Sequence, residues 1–456
     1  MQKRLPLVLR HITYNLRGGF LLRPLGMALA LGLAGAGLSW IEEVYPIFQK
    51  WMPSLLFPSR LDPVVAQVIL SDIATSIMTV VSIVFAILLM TLTLASMQFS
   101  PRILVSFSRD RTTQRTLGIF LGTFCYCIAA LPAARTTPRP FAPVATVMGA
   151  MLLAVACVGW LLYFIHHISH AISVNFIVDR IAAETEVVIA ETMPSPRKLR
   201  PAEQPGAVSS IPWDAAILND VSGYIRVVDA DRLFSLARSY RIKAQVLRRV
   251  GHFVPAGVPL IRVARGERLP PRAGDEFRRA FDIGPSRTLQ QDVEFGVLQI
   301  VDIALRAISP AVNDPSTAIN GIDQLSRILI RFAARQEPPS IMYDLPGEIR
   351  LIVPWMNFEG LLDTAFDQIR HYGAADVAVC LRLLRALNDI SVSTSEAQVR
   401  TLALERGKRV LNGCARDRME GQLRVMQDRV SSLEKLVGES GKSETIQEVG
   451  REAPIV

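Results

Sequence analysis

Three groups of residues in this 456-residue chain carry side chains that could do chemistry. The first is a row of small and polar residues inside an apolar run: Asp72, Thr75, Ser76, Thr79, Ser82, Ala86, Thr93 and Ser96. Steps of three and four put them near one face of a helix. Hydroxyls and a carboxyl on a membrane-length helix suit a water-lined ion path, with Asp72 setting charge preference at its outer mouth. The same row also suits close helix packing, and Asp72 also suits the interface just outside the hydrocarbon. The second group is Arg287, Asp292, Asp302, Arg306, Asn313 and Asp314, expected around one helical turn. Such a cluster could bind a small ligand or ion, or mate with a neighbouring subunit. Read as structure alone, Asp302 and Arg306 are an i,i+4 pair, and Asp314 caps a helix that Pro315 starts. The third is His166, His167 and His170. His166 and His170 have a spacing that suits a metal, yet no carboxylate or Cys stands beside them at ligand spacing. An interfacial role is expected there, and no metal.

No nucleophile with a positioned His is visible, and GxSxG, Walker A, GxGxxG and HExxH are absent from the sequence. No catalytic residue and no cofactor is therefore expected, and an enzyme is the least favoured class. The net charge is +9, with 50 Lys and Arg. Without basic runs interleaved with aromatics, this basicity points to lipid headgroups rather than nucleic acid. The five cysteines, Cys125, Cys127, Cys157, Cys380 and Cys414, have no metal-like spacing and read as small buried thiols in a reducing compartment.

These residues must be positioned by a membrane half and a soluble half. Mean hydropathy is +0.30, and the apolar residues concentrate in the first 172 positions. After a basic tail (1–23), four spans are expected within 24–172, at about 24–45, 69–99, 116–134 and 141–172. The long basic n-region predicts a retained signal-anchor rather than a cleaved leader. The tail has five Lys or Arg, and the segment after the second span has Arg102, Arg109, Arg111 and Arg115. These basic segments predict a cytoplasmic N-terminus and a cytoplasmic C-terminal domain. Gln98, Ser100, Pro101, Arg102, Arg109, Asp110 and Arg111 would then couple the membrane to that domain. A helical stalk and Pro-rich linker (173–212) lead to a small β-rich module (213–265), whose strand pattern is similar to a barrel-sandwich or biotinyl-lipoyl domain. A mainly helical part (266–437) and a disordered polar tail (438–456) follow. Leu423, Met426, Val430, Leu433 and Val437 form a short heptad seam suited to self-association.

Three stretches carry a family resemblance: ASMQFSPRILVSFSRDRTTQRTLGIF (95–120), FIHHISHAI (164–172) and RTLQQDVEFGVLQIVDIALRAISPAVNDPSTA (287–318). They resemble the bacterial membrane family catalogued as domain of unknown function 2254. The resemblance implies an inner-membrane protein with an N-terminal membrane part and a cytoplasmic part, and it implies no activity. The expected architecture is thus an α-helical membrane domain of about four helices plus a cytoplasmic α+β domain. The leading functional expectation is a homo-oligomeric channel or transport-like protein. A non-transporting sensor or scaffold is the alternative.

Overall fold

A computed structural model describes residues 22–45, 62–98, 111–137, 140–171, 173–193, 211–344, 347–414 and 420–449. The chain divides into two compact units between Ser173 and Val174.

Unit 1 holds four helices, each long and apolar enough to cross a membrane: α1 (Leu22–Val44), α2 (Pro63–Gln98), α3 (Arg111–Ala130) and α4 (Val144–Ala171). The expected spans are all present, and α2 begins six residues earlier than hydropathy alone suggests. Pro63 opens it, where its missing N–H costs nothing. At 36 residues, α2 is about 54 Å long and exceeds the hydrocarbon thickness. The most buried of the four is α3, which touches each of the others. One layer of the bundle core stacks Leu70 and Ala74 of α2 on Cys127 of α3 and Val147 of α4. A second stacks Ile77 and Val84 on Phe120, Cys157 and Phe164. Small residues let α1 approach α3 closely: a Cβ at Gly35 would lie 2.5 Å from the Tyr126 carbonyl oxygen. Buried Glu42 caps α4, accepting from the Ala145 and Thr146 amides at 2.9 and 3.2 Å. Gln67 donates to the Ala134 carbonyl at 2.5 Å, tying α2 to the turn between α3 and α4.

Unit 2 opens on α5 (Val174–Thr192), a separate helix rather than a continuation of α4. Its buried Ile177, Ile181, Val188 and Ile189 form one face. The β-rich part holds β1 (Ala215–Leu218), β2 (Gly223–Val228), α6 (Ala230–Ser239), β3 (Lys243–Val246), β4 (Phe253–Val254), β5 (Pro259–Ala264), α7 (Ala273–Arg278) and β6 (Phe281–Gly284). There follow α8 (Val293–Ala307), α9 (Pro315–Ala333), β7 (Ile341–Asp344) and β8 (Glu348–Ile352). The chain ends with α10 (Phe358–Tyr372), α11 (Val377–Ser393), α12 (Ala397–Cys414) and α13 (Glu420–Val449).

The strands form two sheets, one of order β1-β5-β3-β8-β7 and one of order β4-β2-β6. The β-rich region is therefore not closed within 213–265. It takes β6 from the next segment and β7–β8 from about 80 residues downstream, with β3 and β8 parallel. Ile225, Leu233, Ile261, Val263, Phe277 and Leu351 form the core between these strands and α6 and α7. In the helical part α8 and α9 are antiparallel neighbours, and both pack on α5. Arg327 of α9 holds Glu186 and Asp179 of α5 at 2.7 and 2.8 Å.

Two expectations change here. Met426, Val430 and Leu433 of α13 are buried, and α13 packs on α11 and α12. The heptad seam is thus consumed within the chain, because three amphipathic helices close on each other. The helix also continues through the polar segment to Val449, in keeping with its helix-favouring Glu, Lys and Gln residues. Second, Cys380 and Cys414 are joined in a disulfide, not left as thiols. The packing of α11 on α12 brings residues 34 apart in sequence side by side. Cys125, Cys127 and Cys157 are free.

Candidate functional site

The polar row lies on α2, and its placement follows from helical geometry. At about 100° per residue, the buried Ala66, Leu70, Ala74, Ile77 and Val84 share one side of the helix. Asp72, Thr75, Thr79, Ser82, Ala86 and Thr93 centre about 180° away, and all six are exposed. Ser76 lies at the edge of the same exposed side. Among the described residues the row therefore does not pack against the bundle. Thr79, Ser82 and Thr93 donate to the carbonyls four residues back, at 3.1, 3.0 and 2.9 Å. Their oxygens keep free lone pairs toward the outside. Asp72 stands five residues beyond Gln67, or about 7.5 Å further along the axis. Among the described residues of α2 it is the sole charged side chain. The hydrocarbon-length stretch thus presents one carboxyl and several hydroxyls, flanked by exposed Met78, Ile83, Leu89 and Met90.

The coupling segment falls mostly elsewhere. Ser100, Pro101, Arg102, Arg109 and Asp110 lie outside the described residues, as do the side chains of Ser96, Gln98 and Arg111. His166 is exposed on α4, and His167 stacks on Tyr163 with ring centroids 6.3 Å apart. The His170 side chain is outside the described residues. Among the described residues no three His, Cys, Asp or Glu side chains converge as a metal site.

In unit 2 the six polar residues do not form one cluster. Asp292 caps the start of α8, accepting from the Phe295 amide at 3.0 Å. Asp314 caps the start of α9, accepting from the Thr317 amide at 3.2 Å. Between these caps lie the 15 residues of α8, about 22 Å. Asp302 and Arg306 sit in its second half, and Asn313 takes a left-handed φ of 48° in the turn beyond. Arg287 and Asp292 do meet, in a two-pronged ion pair of 2.7 and 2.8 Å.

That pair is the core of a four-residue knot. Arg287 also donates to Glu294 at 2.8 Å, and Arg249 grips Glu294 with two bonds of 2.8 and 3.0 Å. Thr364 of α10 reaches Glu294 at 3.4 Å. The Arg287 guanidinium lies 5.6 Å over the Phe295 ring. The knot thus binds the loop after β3, the approach to α8, and α10. Its two carboxylates sit at a helix N-terminus, where the macrodipole favours them. Gly251 makes room: at φ +89°, a Cβ there would lie 2.5 Å from Arg287 Nη2 and 2.6 Å from Asp292 Oδ2. Burial alone would raise the Glu294 carboxyl, but the hydrogen bonds from Arg249 and Arg287 outweigh it and hold it at about 2. Burial, then the Arg249 charge, lowers the nearby His252.

Beside the knot is a cavity of about 40 Å³. Arg249, Gln291, Asp292 and Glu294 line it together with Phe332 and Trp355. Each carboxylate is already matched by a guanidinium, so the arrangement fixes charge and carries no acid–base pair. Arg249 and Glu294 escape sequence reasoning because they are 45 residues apart and no local spacing connects them.

Glu294 also sets a pH dependence. Its carboxyl titrates at about 2 in the folded chain, below its ordinary 4.5, so the unfolded chain binds more protons in acid. The stabilisation from Glu294 is complete above about pH 5 and is lost as the pH falls toward 2. Thermal melts between about pH 7 and about pH 3 should show this acid limb, and Glu294→Gln should flatten it.

Comparison with known proteins matches residues 17–389 to the family described as predicted membrane protein (DUF2254). An uncharacterized protein of Mycobacterium bovis is 35% identical over 375 residues, covering 80% of this chain and 70% of that protein. An uncharacterized protein of Mycobacterium tuberculosis shows the same identity and coverage. No solved structure matches the chain. The family match spans the four apolar helices and most of the mixed α/β unit, and the chain belongs to the DUF2254 family of predicted membrane proteins.

Proposed function

We propose that copies of this chain assemble in the membrane with their α2 helices around a shared aqueous path. Ions pass along the hydroxyl row, Asp72 sets the charge preference at the outer mouth, and unit 2 is a cytoplasmic regulatory domain. The observation that carries this reading is the position of the polar row, on the side of α2 opposite the face packed in the bundle. Left against lipid, an ionisable side chain within a span is costly, and water or a second copy removes that cost. Reconstitution into liposomes tests it. A K⁺ gradient should dissipate through the wild-type protein, and Thr79→Trp should slow that flux roughly tenfold or more by filling the path. No flux under any gradient, together with an oligomer whose α2 faces are buried and dry, overturns the proposal.

The cavity beside the four-residue knot favours a second reading, a sensor or scaffold that binds a small ligand or partner through unit 2. That reading expects no flux, and thermal stabilisation by a ligand that fails to stabilise Trp355→Ala.

A further inference from the structure

The disulfide between Cys380 and Cys414 has no part in the ion path or the knot. It joins α11 to α12, and both side chains are 1% exposed. Cys414 is the last residue of α12, six positions before α13 begins at Glu420. Both helices pack on α13 through Met426, Val430 and Leu433, so the link clamps a three-helix layer. The site also accommodates the reduced form. The Cys380 sulfur lies 3.7 Å from the Gly373 carbonyl and 3.7 Å from the Ala374 carbonyl, acceptors for a thiol S–H. The two Cα atoms are 6.9 Å apart, at the wide end of the separations a disulfide bridges. The remaining cysteines belong to the membrane unit, so no third thiol of unit 2 competes for the pair.

We propose that Cys380 and Cys414 form a reversible redox clamp that tightens the α11–α12–α13 layer when oxidised. The co-reactant is a low-molecular-weight disulfide. One cysteine thiolate attacks it, forming a mixed disulfide and releasing one thiolate. The second cysteine then attacks the mixed disulfide, closes the Cys380–Cys414 bond and expels the second thiolate. The protein loses two electrons and two protons, and the small disulfide becomes two thiols. A dithiol reductant reverses the sequence. The reversibility rests on the cytoplasmic placement of unit 2 read from loop charge, because a reducing compartment keeps such a pair open at rest.

The test uses the full chain in detergent, equilibrated across mixtures of oxidised and reduced glutathione. Free thiols are alkylated and identified by mass spectrometry, with hydrogen exchange followed in α12 and α13. The expected result is a joint two-electron transition of Cys380 and Cys414, absent at Cys125, Cys127 and Cys157. Reduction should speed exchange in α12 and α13 by roughly one to three orders of magnitude, the scale of a disulfide's stabilisation. Cys414→Ser should show the fast exchange at every potential. Two free thiols under fully oxidising glutathione overturn the proposal. So does a bond that survives fully reduced glutathione, or exchange that is equal in both states.

Discussion

Glu294→Ala should cost unit 2 about 3–5 kcal/mol, the scale of breaking a buried ion pair from one side. The alanine removes four hydrogen bonds from Arg249, Arg287 and Thr364 at once. It leaves the Arg249 guanidinium, only 21% exposed, facing a cavity already lined by Phe332 and Trp355. Arg287 keeps Asp292 and suffers less. For a unit of this size the loss should lower the thermal midpoint by roughly 5–8 °C. Glu294→Gln keeps an acceptor for one arginine and should cost less. Adding Arg249→Ala to Glu294→Ala should recover part of the loss, because the uncompensated charge goes with it. Scanning fluorimetry of these proteins and of Arg249→Ala alone at neutral pH checks the series. Additive losses in the double variant would show that Arg249 and Glu294 do not act as a pair.

Gly35→Leu should be the most damaging single change in the membrane unit. The new Cβ would lie 2.5 Å from the Tyr126 carbonyl oxygen and 3.1 Å from its Cα, and backbone cannot step aside as a side-chain tip can. Tyr126 is itself buried, with its hydroxyl donating to the Thr146 carbonyl at 3.1 Å. Separating α1 from α3 therefore disturbs α4 as well. Overpacking of this kind costs about 1–3 kcal/mol in ordinary cores and occasionally more, and a backbone obstacle places Gly35 at the upper end. Gly37 supplies the control. It lies two residues away on the same helix, and a Cβ there meets nothing within 4 Å. Gly37→Leu should leave the size-exclusion profile and the SDS-unfolding midpoint of the detergent-solubilised protein unchanged, whereas Gly35→Leu should shift both.

Some of the architecture was legible because its causes are local. Four runs of membrane length follow from hydropathy summed along the chain. The cap at Asp314 follows from an Asp standing just ahead of an amphipathic run, and Pro315 marks the helix start. The row on α2 follows from helical period alone. Other features were illegible because they join distant segments. The pairing of β3 with β8 spans about a hundred residues, and a four-residue strand carries no address for its partner. The heptad-like spacing on α13 was real, but spacing does not say whether the partner helix lies in the same chain.

The sequence by itself determined that Asp72 and its hydroxyl neighbours share one face of a membrane-length helix, since that needs only a period of 3.6 residues. The tertiary structure decided which way that face points: Leu70, Ala74 and Ile77 take the bundle side, and the polar row is left outside. Likewise the Arg287–Asp292 contact lay within five residues of chain. Its partners Arg249, Glu294 and Thr364 gathered only when a loop, a helix start and a neighbouring helix closed on one another. Buried charge must find its complement wherever the fold supplies it, and chain order does not encode that place.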